Sequence, residues 1–338
     1  MWTEQKIEKH LKEILTSEFE AKAEDYISLY ITARKYIIEE VLKEIKGIEP
    51  SLTDHSADHV ANVMERAWDL IEDQQDRFSG IEIYLLCLII LFHDVGNIEG
   101  RGGHNKKIAE IYNNIRNKVP TYNQERRLVL IATAAHCGSS KKGDKDTLSD
   151  VDEISNLYNK EIKLRELASI LRFADELSEG PQSAITLTKT NDYEKESDKK
   201  LLAGAGFNVL DKDGNVLKFV DKGNNRIAIT YNIDYTSSER IEELLEFTYR
   251  RILKLDAERR YCKYYAPILD KLKKTDAQIN FTINGDICDL DLPKIELGDK
   301  YNLIDDGNDT NIVDHFIKNN PVFNIHNIVE KLNSNKDE

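Results

Sequence analysis

Apolar residues recur at helical spacing through most of the first 180 positions. Ile7, Leu11, Ile14 and Leu15 predict a helix over 2–18. Tyr26, Leu29, Tyr30, Ala33, Ile37, Ile38, Val41, Leu42 and Ile45 predict a second over 20–47, stopped by Gly47 and Pro50. Thr53 or Asp54 suits the N-cap of a third, over 54–76. After Ser79-Gly80, the run Ile83–Phe92 is apolar almost throughout, so the helix over 81–95 reads as buried. The glycine-rich stretch 97–103 is a loop. Helices are expected over 104–117, from Pro120 to about 137, and over 161–178, with a polar, flexible segment at 138–153 between the last two.

Past Gly180-Pro181 the period changes. Residues 184–190, 207–210 and 216–220 are β-prone, and the Asp211–Asn215 stretch with its Asp-Gly pair reads as a hairpin turn. Ile227, Ile229 and Tyr231 alternate in a strand over 226–233. A long helix is expected over 237–274, interrupted at Pro267, then a strand over 278–283. The tail from 295 carries two short helical patterns, near 311–319 and 324–332. The expected fold is mainly α. A helical domain over 1–180, with 1–50 packing on it, precedes an α/β appendage over 183–294 and a polar tail over 295–338. The long helix is amphipathic enough to serve a homodimer.

The chain of 338 residues has a formal net charge of −14, which argues against a partner that is a long nucleic acid. No apolar run reaches the roughly 18–20 residues that span a bilayer, and the N-terminus lacks a signal-peptide core. Cys87, Cys137, Cys262 and Cys288 form no metal or disulfide spacing, so a reducing cytoplasm is the expected compartment.

Composition is skewed in one place: five of the eight histidines lie between His55 and His136. Such a cluster in a helical region suggests a metal or acid–base site. His55 and His59 are four apart and share a helix face, which also fits a polar surface or a capping group. His93-Asp94 directly follows the apolar run. A carboxylate buried there costs several kcal/mol unless a cation or a hydrogen-bond partner offsets it, so metal binding and helix capping both fit. Asp175 continues the stripe of Leu164, Leu167, Ala168, Leu171 and Ala174, or else pairs with Arg172 at the surface.

In order along the chain, these pieces resemble the HD superfamily of metal-dependent phosphohydrolases. The matching segments are Asp54–Val63 with its histidines, Leu91–Gly96 with His93-Asp94, and Ile170–Leu177 with Asp175. Over about 54–180 the resemblance implies a helical fold and a metal held by His59, His93, Asp94 and Asp175. His59, followed four residues later by Val63, maps to the family's first histidine; His55 falls to a supporting place behind it. His104 and His136 stand where some subgroups hold a second metal or contact phosphate. The Gly-Tyr-Pro ending of the cyclic-dinucleotide-cleaving branch is missing after His136. One or two divalent ions (Mn, Fe, Ni, Mg or Zn) suit imidazole and carboxylate ligands, and such an ion acidifies water and polarises a phosphoryl group. Asp94 would orient the attacking water, and His104 would protonate the leaving oxygen. Arg101, Lys106, Lys107 and Arg172 would hold a polyanionic substrate.

The leading expectation is thus hydrolysis of a phosphoester or phosphoanhydride in a nucleotide-like small molecule. One alternative is a nuclease or phosphodiesterase on single-stranded or cyclic nucleic acid, served by Arg250-Arg251, Arg259–Tyr261 and Lys263–Tyr265. The other is a nucleotide-sensing module without turnover.

Overall fold

A computed structural model describes residues 2–43, 57–96, 104–117, 119, 122–136, 140–178, 218–235, 241–283, 286–288, 290–299 and 309–336. The side chains of 104–106 and a few others at element edges lie outside that description. The protein is mainly α with an α/β appendage, and it divides into two compact units. The first holds 1–50, 54–178 and 262–270; the second holds 51–53, 179–261 and 271–338.

The first unit contains α1 (Lys6–Phe19), α2 (Ala23–Tyr36), α3 (Ala57–Ile71), α4 (Gly80–Phe92), α5 (His104–Ile115), α6 (Asn123–Ala134) and α7 (Leu164–Leu177). α4 is the axis. Every one of its residues is buried, and α1, α2, α3, α6 and α7 pack around it. A helix without a polar face must be covered on all sides, which is what the Ile83–Phe92 run dictates. Its N-terminus is closed by a capping box: Ser79 Oγ accepts from the Glu82 amide at 3.3 Å, and Glu82 accepts from the Ser79 amide at 2.9 Å. Glu18 takes the Gly80 amide at 3.0 Å. A side chain at position 80 would come within 3.0 Å of Leu15, so glycine lets α1 and α4 approach closely.

Around Glu125 of α6 lies a buried polar cluster. Its carboxylate accepts from the hydroxyls of Tyr84 at 2.8 Å, Tyr112 at 2.6 Å and Tyr158, and from Arg116 at 2.9 and 3.1 Å. Arg116 also donates to the Leu29 carbonyl at 2.9 Å. α2, α4, α5 and α6 are thereby tied together through one carboxylate.

Two local features differ from the sequence reading. The segment before α7 is not wholly irregular: β1 (Ser155–Leu157) and β2 (Lys160–Ile162) form a hairpin. Its turn residues Tyr158 and Asn159 both have positive φ, 49° and 62°, without the Asn-Gly or Asp-Gly pair that would signal it. The predicted helix over 20–47 is broken by a 3₁₀ turn at Glu20–Lys22 and a π-helical turn at Ile37–Val41.

The second unit is built on β3 (Lys218–Asp221), β4 (Arg226–Asp234), α8 (Ile241–Tyr265), β5 (Lys274–Ile283), β6 (Asp286–Cys288) and β7 (Ile295–Gly298). β4 and β5 are parallel and in register, Arg226 opposite Lys274 through Asp234 opposite Thr282, joined by the crossover helix α8. β3 pairs antiparallel with β4, while β6 and β7 pair antiparallel with different stretches of β5. The β3–β4 turn is at 222–225, with Asn225 left-handed at φ 52° and Asp221 capping the Asn224 amide at 3.2 Å. The strands expected at 184–190 and 207–210, and the turn at 211–215, lie outside the described residues. α8 ends at Tyr265, before Pro267, and the chain is already a strand at 274, where the periodicity suggested helix. The apolar positions Leu244, Leu245, Ile252 and Leu253 of α8 are buried within the chain. α9 (Asp309–Asn319) and α10 (Ile325–Lys336) follow, with Phe316 and Phe323 packed on Tyr249.

Residues 262–270, which the sequence runs on from the appendage helix, group with the first unit. There the Tyr265 hydroxyl donates to Asp146 at 2.9 Å and the Ile268 amide to Glu166 at 3.0 Å.

Candidate metal centre

Four helices of the first unit direct side chains to one point. His59 lies in the first turn of α3, whose Val60, Val63, Met64 and Ala67 are buried. His93 and Asp94 follow the last turn of α4. His136 follows α6, and Asp175 sits near the end of α7. Asp175 is only partly buried: it lies beside Arg172 and Glu176 on the half-exposed strip of α7, at the edge of the apolar stripe that was expected to carry it inward.

The donor atoms converge. His59 Nε2 and His93 Nε2 are 3.3 Å apart. Asp94 Oδ2 lies 3.0 Å from His93 Nε2 and 3.5 Å from His59 Nε2. Asp175 Oδ1 lies 3.2 Å from His59 Nε2 and 3.7 Å from His93 Nε2. The other oxygen of Asp94, Oδ1, is 3.7 Å from His136 Nε2. The His136 ring meets the His93 ring edge-on, 5.3 Å between centroids.

Two of the imidazoles are oriented by backbone. His93 Nδ1 lies 2.7 Å from the Ile90 carbonyl, and His136 Nδ1 bonds the Thr133 carbonyl. A carbonyl accepts only, so each Nδ1 carries the proton and each Nε2 faces the centre with a lone pair when neutral. His59, His93 and Asp175 present donor atoms that all lie within 4.8 Å of one another, a group that could hold a metal ion. Ligand atoms about 2.1 Å from one ion stand roughly 3.0–3.4 Å apart at square or tetrahedral angles, and most separations here fall in or near that span. The donor set, imidazole nitrogens with carboxylate oxygens, fits a divalent cation.

Electrostatics point the same way. Burial works against charge on His59, but its hydrogen bonds to Asp175 and Asp94 prevail and lift its pKa to about 9. Burial also opposes charge on His93, and the Asp94 carboxylate, followed by hydrogen bonds to Asp175 and Asp94, raises it to about 10. Burial opposes ionisation of Asp175, yet the hydrogen bonds from His59 and His93 hold its carboxyl well below the usual range. Without a cation the carboxylates therefore keep protons on the imidazoles. Metal binding must displace them, so loading at pH 7.5 should release about one to two protons, and affinity should rise with pH up to the 9–10 region. Calorimetry in buffers of different ionisation enthalpy counts those protons; a buffer-independent heat would refute the displacement. In the metal-free protein the sign reverses. Histidines with raised folded-state pKa values stabilise fully below pH 6.5, and that contribution is lost as pH rises through 9–10.

The remaining sequence candidates divide. Arg172 Nη1 donates to Thr147 Oγ1 at 2.8 Å and reaches the Ala135 carbonyl at 3.4 Å. Lys107 pairs with Glu110 at 3.3 Å. His104 and Lys106 open α5, but their side chains, and all of His55 and Arg101, lie outside the described residues. The segment after 140 is structured, closed by Ser140–Asp144 backbone bonding at 2.8 Å with Gly143 at φ 86°. Sequence reasoning missed Thr147 there, because a loop threonine carries no periodic signal.

A helical domain that gathers His, His-Asp and Asp, in that order along the chain, from separate helices is an HD-type domain. The chain belongs to the HD-CE family, whose model matches residues 49–261. That match runs past the expected limit near 180 and through the sheet strands β3 and β4 to most of α8. No curated protein and no solved structure matches the chain. The family and the cluster together suggest an HD-type metal-dependent hydrolase. Among the described residues no helix is long and apolar enough to cross a membrane.

Proposed function

We propose that the protein hydrolyses a phosphoester or phosphoanhydride bond of a nucleotide-like small molecule. The observation that carries this is the meeting of two imidazole Nε2 atoms with the carboxylates of Asp94 and Asp175 at the end of a wholly buried helix. His59, His93, Asp94 and Asp175 would hold the cation, with His136 beside them. A bound divalent ion supplies Lewis acidity, lowering the pKa of water and polarising the phosphoryl group. Asp94 orients the attacking water, since its two oxygens face different imidazoles, Oδ2 toward His59 and His93 and Oδ1 toward His136. His104 protonates the leaving oxygen, and Arg101, Lys106 and Lys107, which flank it in sequence, bind the phosphates.

One observation disfavours the nuclease reading. Of the basic residues of α8, Arg259 is fully buried against Asp256 at 2.8 Å and Asp299 at 2.7 Å, Arg260 bonds Asp256, and Arg250 pairs with Glu246 at the surface. Arg259, at the centre of the cluster, is thereby withdrawn from any strand laid along α8.

The test is a substrate screen. Manganese-loaded protein is incubated with pooled nucleoside and deoxynucleoside triphosphates, cyclic nucleotides and short oligonucleotides, and the products are separated. Turnover of a mononucleotide pool, absent after chelation, is expected. Turnover of oligonucleotides alone would favour the nuclease. No turnover in any pool with metal confirmed bound would overturn the proposal and favour a sensing module.

A further inference from the structure

The peptide group that carries His136 is clamped from outside its own helix. The Thr147 hydroxyl donates to the Ala135 carbonyl at 2.6 Å, and Arg172 Nη1 donates to that hydroxyl at 2.8 Å while reaching the same carbonyl at 3.4 Å. Thr147 is buried, 4% exposed. The last carbonyls of a helix lack intrahelical partners and usually turn to water or to a nearby cap. Here the partners are a threonine 12 residues downstream and an arginine from α7.

The Ala135 carbonyl and the His136 amide share one rigid plane. Fixing the oxygen fixes the plane from which His136 emerges, and the Thr133 carbonyl then sets the ring through Nδ1. Arg172 lies three residues before Asp175 on the same strip of α7, so one side chain links the helix presenting Asp175 to the carbonyl behind His136. The turn bearing Thr147 is itself anchored, because Asp146 caps the Ser149 amide at 3.3 Å and accepts the Tyr265 hydroxyl at 2.9 Å.

We infer that Thr147, backed by Arg172, is a positioning residue that holds the His136 imidazole against Asp94 and His93. Arg172 thereby works behind the site rather than on the substrate. The inference rests on His136 belonging to the hydrolytic site proposed above.

Thr147→Val removes the donor and keeps the shape; Thr147→Ser keeps the donor. In the metal-free protein, the ring ¹H and ¹⁵N resonances of His136 should shift in Thr147→Val, stay near wild type in Thr147→Ser, and leave those of His59 in place. On a substrate found by the screen, kcat/KM should fall about 10–100-fold in Thr147→Val and recover in Thr147→Ser. Unshifted His136 resonances in Thr147→Val, equal behaviour of the two variants, or full activity with a shifted ring would each overturn the inference. If Thr147→Val does not fold, Arg172→Met takes its place in the same measurements, with the same outcomes deciding. If the wild-type protein turns over nothing, the hydrolase reading fails and the resonances alone decide this one.

Discussion

Asp94→Asn should lower kcat/KM by about a thousandfold or more while leaving the fold intact. The substitution is nearly isosteric, and Asp94 is only 8% exposed, so the helices around it need not move. What changes is charge. Asp94 is the group whose two oxygens stand between His59 and His93 on one side and His136 on the other. An amide presents one weak ligand oxygen and, at the other position, a donor facing an imidazole. Affinity for the cation and orientation of water both suffer. The same change removes the largest influence that raises His93, so the metal-free His93 should titrate lower than in the wild-type protein. Activity, metal content and the histidine titration are read on one preparation, with far-ultraviolet circular dichroism as the fold control. Retention of more than a tenth of the activity would remove Asp94 from the site.

Glu125→Ala should cost about 3–5 kcal/mol of stability. The carboxylate is fully buried and balances Arg116, itself 4% exposed. Its loss strands a buried guanidinium and leaves the hydroxyls of Tyr84, Tyr112 and Tyr158 without their common acceptor. Removing one partner of a buried pair costs far more than the pair is worth, because the other charge stays desolvated. Glu125→Gln, which keeps an acceptor but loses the charge, should fall between wild type and alanine. Chemical denaturation of the three proteins orders them. A loss under about 1 kcal/mol for alanine would mean that water reaches the cluster and that it does not hold α2, α4, α5 and α6 together.

Much of this protein is legible from periodicity because its strongest signals are local. Ile83–Phe92 has no polar face, and a helix of that kind can only be central; α4 is. Alternation at Ile227, Ile229 and Tyr231 marks β4, and the Ser79-Gly80 break marks a capped helix start. The candidate ligands came from the resemblance of the segments Asp54–Val63, Leu91–Gly96 and Ile170–Leu177 to HD-type phosphohydrolases, because the local patterns around His59, His93-Asp94 and Asp175 fit capping and surface roles as well.

Other features depend on partners far away in sequence. The β1–β2 turn places Tyr158 and Asn159 in the left-handed region without a glycine, between the buried Leu157 and Ile162. β4 and β5 find each other as parallel neighbours only after α8 has carried the chain back, so neither strand announces its mate. Arg172 reads as a substrate contact by its spacing from Asp175, and its hydrogen bonds to Thr147 and Ala135 leave no trace in that spacing. Sequence determined which side chains have the chemistry to hold a cation. Only tertiary structure decided where their donor atoms meet and which neighbours aim them, because hydrogen bonds across 12 to about 100 residues of chain are set by packing and leave no period behind.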